Sequence, residues 1–233
     1  MTVQPQLSII MPVLDEEPQI AARLSTLQGF RKMGIEIVVA DGGSTDGTLT
    51  AIGALADRVI VAPRGRAAQM NAGAAASRGR IQLFLHADTS LPDSAMVDIL
   101  AAVSGGSDWG RFDVRIDGRN ALLRLVAIMM NWRSRLTGIA TGDQAIFVRR
   151  DVFERIGGYP DLPLMEDIAL SAALLRISPP TCLRETVVTS GRRWERHGVL
   201  RTVLLMWWLR AAFFLGADPQ RLAQRYGYRP RAG

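Results

Sequence analysis

The chain carries one cysteine, Cys182. That excludes an internal disulfide and any cysteine-based metal cluster; in a strand-like run, Cys182 reads as a buried thiol. Lysine is almost missing as well. Lys32 stands alone among arginines, and the net charge is +6. Arginine makes planar, forked contacts to phosphate, so this balance fits a phosphorylated small ligand, an anionic lipid or a nucleic acid, unless it only reflects arginine-rich codon usage. Zinc-finger spacing, stacked-aromatic motifs and lysine-rich tails are absent, which argues against a nucleic-acid reader. No basic stretch followed by a long apolar run opens the sequence, so no signal peptide is expected. The default location is the cytoplasm, the inner face of the cell membrane included. Internal repeats and low-complexity tracts are also lacking.

What is present is a chain of 233 residues, 48% hydrophobic and 21% charged, enough for one large α/β domain or one domain with a helical appendage. Apolar runs at 7–13, 35–40, 58–62 and 81–85 read as strands. Helical stretches at 16–28, 45–56 and 66–77 alternate with them, the first capped by Asp15 with Pro18 in its first turn. Buried strands alternating with helices predict a mostly parallel sheet flanked by helices, with ligands at the carboxyl ends of the strands. Further on, helices are expected at 92–103, 120–136, from about 151 and at 166–176, and strands at 109–116, 144–148 and 182–189. An apolar helix is expected at 197–215. A short last helix starts at Pro219 with Asp218 as its cap.

Three acidic clusters fall at strand ends or loops. Asp41 opens the turn DGGSTDG, whose glycines let backbone approach a ligand; Asp41 can accept from a base or ribose, while Ser44 or Asp46 can simply cap the next helix. His86-Ala87-Asp88 follows the strand at 81–85. A carboxylate there is costly unless paired or bound to a cation, and a hard oxygen donor suits Mg²⁺ or Mn²⁺ shared with a diphosphate; the plainer reading is a turn cap. Glu166-Asp167 follows a stretch rich in glycine and proline. Carboxylates at a helix start favour the dipole, and they also suit general-base work beside an acceptor hydroxyl.

The segments LSIIMPVLDEE (7–17), VADGGSTDG (39–47), LFLHADT (83–89) and MED (165–167), in that order and spacing, resemble glycosyltransferase family 2, which has a GT-A fold. The resemblance covers residues 7 to about 196. It implies an inverting transfer from a nucleoside-diphosphate sugar, UDP-linked by family habit, to an acceptor hydroxyl. Pro12, Glu16, Glu17 and the loop of Asp41, Ser44 and Asp46 would hold base and ribose. Asp88, with His86 and Ala87 in its motif, would hold the metal bridging the diphosphate. Asp167, assisted by Glu166, would be the base. The family's usual Asp-x-Asp is His86-Ala87-Asp88 here, so His86 is given a core or hydrogen-bonding role.

The cluster Arg192-Arg193-Trp194 looks like the family's Arg-Trp motif near the diphosphate; its leading glutamine is missing, which speaks against processive synthesis. His197 lies where many GT-A enzymes place a late metal ligand, or is an ordinary helix-start side chain. Asp143 and Gln144 fall in a segment that resembles the acceptor side, or form a plain turn. Arg66 and Asn71 sit where the family often contacts diphosphate or base. The short length and the C-terminal pattern resemble a small bacterial subgroup described as radical-SAM- or selenodomain-associated, or as arsenosugar-biosynthesis transferases. The expected division is a GT-A domain at 1–196 and a helical extension at 197–233.

Residues 199–216 are strongly apolar but interrupted by Arg201 and Arg210. They read as an interfacial helix contacting membrane peripherally, for a lipid-like acceptor, or as core packing or a homodimer face. Two rival functions stand beside the transferase. A nucleotidyltransferase needs a glycine-rich basic loop after the first strand, where this chain has Leu14-Asp15-Glu16-Glu17. A non-catalytic, membrane-associated nucleotide-sugar binder is the other.

Overall fold

The structure, a computed structural model, describes residues 5–228. In chain order the elements are β1 (Leu7–Val13), α1 (Glu17–Thr26), α2 (Gln28–Lys32), β2 (Glu36–Asp41), α3 (Thr48–Ile52), β3 (Arg58–Val61), α4 (Arg66–Ala76), β4 (Ile81–Phe84), β5 (Thr89–Ser90) and α5 (Ala95–Ser104). They continue with β6 (Trp109–Asp117), α6 (Leu122–Thr137), a 3₁₀ turn at Gly142–Gln144, β7 (Phe147–Arg149), α7 (Arg150–Arg155) and α8 (Glu166–Leu175). The last are β8 (Thr181–Ser190), α9 (Arg192–His197), α10 (Val199–Phe214) and α11 (Pro219–Tyr226).

One sheet of eight strands runs in the order β3-β2-β1-β4-β7-β6-β8-β5. The first four are parallel, β7 is antiparallel to both β4 and β6, and β8 returns parallel to β6. The chain leaves β1 toward β2 and later comes back to its other side as β4. That change of direction opens a crevice at the carboxyl ends of β1 and β4.

The sheet is covered on both faces, and the period-two alternation of β1 sorts its side chains between them. Leu7, Ile9, Met11 and Val13 join a core with α1, α2 and α5. Ile10 joins a second core with α4, α7 and α8. Helix α4 lies close on β1 because it is built from small residues: a Cβ on Gly73 would come within 2.5 Å of Ile10.

Several local expectations change. The helix foreseen at 45–56 is only Thr48–Ile52, stopped by Gly53 at φ +47°. Asp15 is not the cap of α1: it has φ +52° itself, and its Oδ1 accepts from the Thr45 amide at 2.8 Å. Gln144 lies in the 3₁₀ turn rather than in β7. Cys182 is half-buried, not buried. The C-terminal apolar helix starts at Val199, after Gly198 (φ +83°), and is preceded by a short helix, α9, that the sequence did not suggest. Asp218 does cap α11, accepting from the Gln220 amide at 2.9 Å.

Helices α10 and α11 pack on the rest of the molecule. Leu209, Leu222 and Ala223 share an apolar cluster with Leu164, Met165 and Ile168. The outward sides of α6 and α10 stay apolar: Leu125, Ile128, Trp132, Leu200, Leu204 and Trp207 are 48–67% exposed. No described helix is long and apolar enough to cross a membrane.

Candidate active site

Two loops form the near side of the crevice. After β2, the buried Asp41 carboxylate accepts from the Gly43 amide at 2.9 Å and the Ser44 amide at 3.0 Å, and from the Ser44 hydroxyl. Asp46 accepts from the Thr48 amide at 3.0 Å. The two loops are also tied to each other. The Asp15 amide donates to Ser44 Oγ at 2.9 Å, the Glu16 amide to Thr48 Oγ1 at 2.8 Å, and the Gly47 amide to Glu17 Oε2 at 3.0 Å. These short polar side chains satisfy backbone that a tight turn would otherwise leave unpaired.

Next to this web lies His86-Ala87-Asp88. Ala87 packs against the core, and its carbonyl accepts from Arg23 Nε at 2.9 Å. Burial, and then the neighbouring Asp88 carboxylate, raise Glu16 above its ordinary range. Asp88 is therefore the place where the loop web meets the open crevice. It lines both of the adjoining cavities, one with Arg23, Arg119 and Arg192, the other with Arg66, His86, Asp143, Glu166 and Asp167.

The second cavity has a volume of about 380 Å³. Met165 precedes α8 in a left-handed conformation, φ +67°, and Glu166 and Asp167 form the helix's first turn. Asp167 Oδ2 accepts from the Gly142 amide at 2.8 Å, and Oδ1 from the Ile168 amide at 2.8 Å. Glu166 is only 4% exposed. Burial first, and Asp167 second, raise its pKa above the ordinary 4.5. Adjacent carboxylates in unlike surroundings are a common way to separate a proton holder from a proton acceptor.

Asp143 Oδ1 lies 3.4 Å from His86 Nδ1. Burial works against its ionisation, but His86, Arg66 and Arg210 outweigh that and lower its pKa. Gly142 gives the imidazole its room, since a Cβ there would be 2.5 Å from the His86 ring. Arg66, open to the cavity at the start of α4, is likewise opposed by burial yet held above its usual range, chiefly by Glu166. Arg193 donates to the Tyr226 carbonyl at 2.7 Å and stacks 3.6 Å above the Tyr226 ring.

The structure thus gathers Arg66, His86, Asp88, Asp143, Glu166, Asp167, Arg193 and Trp194 around one cavity, with Arg192 beside Asp88 in the other. Pro12, Glu16, Glu17, Asp41, Ser44 and Asp46 line neither. Three expectations need correction. Asn71 is a clasp, its amide accepting from the Tyr159 backbone N–H at 2.9 Å and donating to the Tyr159 carbonyl at 2.8 Å. Gln144 is fully buried, and its Oε1 accepts from the Thr141 amide at 3.2 Å. His197, the last residue of α9, is exposed and outside both cavities, because Gly198 ends that helix one turn beyond Arg193. Sequence reasoning missed Arg23, Arg133, Arg210 and Tyr226 as lining residues. The available signal was a charged residue inside an otherwise apolar helix, at Arg133 in α6 and Arg210 in α10.

No group of three or more His, Cys, Asp or Glu side chains suited to a metal ion occurs among the described residues. The nearby donors are carboxylate oxygens, Asp88 with Glu16 close by. Mg²⁺ is ordinarily held by one or two carboxylates together with substrate phosphates. The donor set therefore fits a hard cation shared with a diphosphate, and does not fit an ion held by protein alone.

Comparison with known proteins is consistent with this arrangement. The profile of glycosyl transferase family 2 matches residues 8–157, a stretch that ends before Glu166 and Asp167. A probable glycosyltransferase, YdaM, of Bacillus subtilis (strain 168) is 26% identical over 192 residues, covering 72% of this chain and 46% of the relative. The chain thus spans about half the length of that curated relative. Among solved structures, Staphylococcus aureus TarS (1–349) in complex with UDP-GlcNAc aligns at TM-score 0.63 and 19% identity, over 79% of this chain and 58% of the other. The mannosyltransferase PcManGT from Pyrobaculum calidifontis, in complex with GDP-Man and Mn²⁺, aligns at 0.58 and 20%, over 80% and 57%. Glucosyl-3-phosphoglycerate synthase from Mycobacterium tuberculosis, in complex with Mn²⁺, UDP and glucosyl-3-phosphoglycerate, aligns at 0.58 and 19%, over 79% and 71%.

Proposed function

The chain belongs to glycosyl transferase family 2, and from that premise we propose that it transfers a sugar, with inversion, from a nucleoside-diphosphate sugar to an acceptor hydroxyl. The observation that carries the proposal is Asp88, which borders the cavity holding Glu166 and Asp167 and also the adjoining cavity lined by Arg23, Arg119 and Arg192 together with Asp117 and Glu195. A diphosphate beside Asp88 would present its sugar to Asp167.

In this reading residues 1–196 hold the donor, and residues 197–233 cover the acceptor side. The loop of Asp41, Ser44 and Asp46, with Pro12, Glu16 and Glu17, shapes the nucleoside's seat. Arg192 and Arg193, which flank Asp88 from α9, supply positive charge to the departing diphosphate. Mg²⁺ or Mn²⁺ would be held by Asp88 together with the diphosphate, and would stabilise the charge of the leaving group. Asp167 takes the acceptor proton; its two anchoring amides fix its orientation. Glu166 lies buried beside it, its pKa raised by burial and by Asp167.

The donor family is tested by thermal shift with UDP-, GDP- and dTDP-sugars, with and without Mn²⁺. A metal-dependent shift with one nucleotide is expected. Asp88→Ala should lose that enhancement, a change of at least about tenfold in donor affinity, or 1.4 kcal/mol. No shift with any sugar nucleotide would sink the reading.

The apolar outer sides of α6 and α10 carry the exposed Arg124 and Arg201, while neither helix contains an acidic residue and Arg135 is paired with Asp113 of β6. Apolar area with positive charge around it suits an anionic bilayer surface, and supports peripheral attachment there. A homodimer through the same face is the alternative outcome when the protein is spun with anionic liposomes and sized by light scattering.

A further inference from the structure

Two arginines in the cavity take no part in the chemistry described so far. Arg133 comes from α6 and Arg210 from α10, and both line the cavity that holds Asp167. Arg133 Nε and Nη2 and Arg210 Nε are buried without a hydrogen-bond partner among the described residues. Unpartnered guanidinium nitrogens in a protein interior are costly and call for an acceptor.

The neighbouring charges do not supply one. Burial, followed by Arg210, pushes Arg133 down to about 10, and Arg111 adds to the repulsion while Asp167 opposes it. Arg210 is lowered by burial against the pull of Asp167, Asp143 and Tyr226. Asp167 is already held by two amides, and Asp143 faces His86.

The walls around these arginines are apolar. Val126, Met129 and Met130 of α6 and Val203, Met206 and Trp207 of α10 line the cavity, and Val126, Met130 and Val203 pack in one apolar cluster. Met129 is 45% exposed and Trp207 55% exposed, so the apolar wall continues from the interior to the outer surface of the two helices. A bare sugar would find few hydrogen-bond partners along it. The donor diphosphate has arginines of its own, since Arg23, Arg119 and Arg192 line the other cavity along with Asp88, Asp117 and Glu195, and neither Arg133 nor Arg210 does.

We propose that this is the acceptor subsite, and that it takes an amphiphile whose anionic group, phosphate or carboxylate, is held by Arg133 and Arg210 while its apolar part lies along Met129, Met206 and Trp207. The assignment rests on the transferase reading for the word acceptor, but binding can be measured without turnover. Forked, charge-assisted hydrogen bonds to an anion are the stronger kind, and the unpaired nitrogens would gain them on binding.

The test uses n-decyl phosphate, n-decanol and inorganic phosphate as probes on the full chain, by isothermal titration and tryptophan fluorescence, with UDP titrated in parallel. Decyl phosphate should bind at least about tenfold more tightly than decanol or inorganic phosphate. Arg133→Gln and Arg210→Gln should each weaken decyl phosphate about tenfold and leave UDP affinity unchanged. Both variants should melt at or above the wild-type temperature, because each removes guanidinium nitrogens that are buried without a hydrogen-bond partner. Equal affinity for decanol and decyl phosphate overturns the anion site, and inorganic phosphate binding as well as decyl phosphate overturns the apolar half. Those comparisons need only the wild-type chain, so a variant that fails to fold does not shield the proposal. Wild-type protein that binds decyl phosphate as expected but no sugar nucleotide would strike the transferase reading instead and leave the anion site standing.

Discussion

On the loop side of the crevice, the carboxylates of Asp15, Glu17, Asp41 and Asp46 all accept from backbone amides of the two loops they join. On the far side, Arg133 and Arg210 keep unpaired nitrogens, Glu166 is buried with a raised pKa, and the walls are methionine and tryptophan. In the first region these four carboxylates find their partners within the loops themselves. The second is internally unsatisfied, which is the state expected of a surface whose remaining partners come from outside. Damage should therefore read out differently: as lost stability on the loop side, and as lost chemistry or altered titration on the other.

The sharpest separation is expected at Asp167. Asp167→Asn should lower turnover by roughly 10²- to 10⁴-fold, the usual worth of a general base, with sugar-nucleotide affinity unchanged by titration calorimetry. Near-normal turnover would remove the base from the far side and with it half of the contrast.

Asp41→Asn should do the reverse. It turns a buried acceptor of two amides and a hydroxyl into a group that faces at least one of them with its own N–H. A loss of about 1–3 kcal/mol is expected, seen as a fall of several degrees in Tm, while turnover per folded molecule changes much less. A variant that keeps its Tm and loses nucleotide binding would show that Asp41 serves the ligand and not the loop.

The smallest effect is a pH dependence. Because burial and Asp167 raise Glu166 above 4.5, the folded protein holds this proton more tightly than the unfolded chain does. The associated stability is present below 4.5 and is lost as pH rises through the raised value. Glu166→Gln should accordingly melt higher than wild type at pH 8 and level with it at pH 4. Equal Tm differences at both values would mean that Glu166 is not buried as a titrating group.

The parallel half of the sheet was legible in the sequence because its strands are continuous apolar runs and its turns are marked by glycine and aspartate. Asp88 was found just past the end of a buried strand, whereas Asp167, in the first turn of α8, was placed beside it only by the order of motifs that resembles the family. Elsewhere the signal was weaker. Helix α9 has no apolar periodicity in RRWERH, so it was not foreseen as a helix, and His197, read as the start of the next helix, is the exposed last residue of α9 and lines neither cavity. Asn71 and Gln144 look like ligand contacts in a linear reading, since their partners, the Tyr159 backbone and the Thr141 amide, are fixed only by tertiary and local folding. Arg133 and Arg210 were visible as interruptions of apolar helices, but their convergence across one cavity depends on how α6 and α10 pack.

Met165 bears on what the last helices are for. A left-handed methionine costs of order 1–3 kcal/mol, and it stands immediately before the two carboxylates of α8. Its side chain is buried with Leu209, Leu222 and Ala223, so α10 and α11 hold down the bend that aims Glu166 and Asp167. Leu209, Leu222 and Ala223, which line neither cavity, thus act as a clamp on the turn that carries Glu166 and Asp167. Loosening the clamp would let the bend relax and, in the proposed reaction, would cost turnover while leaving nucleotide affinity intact.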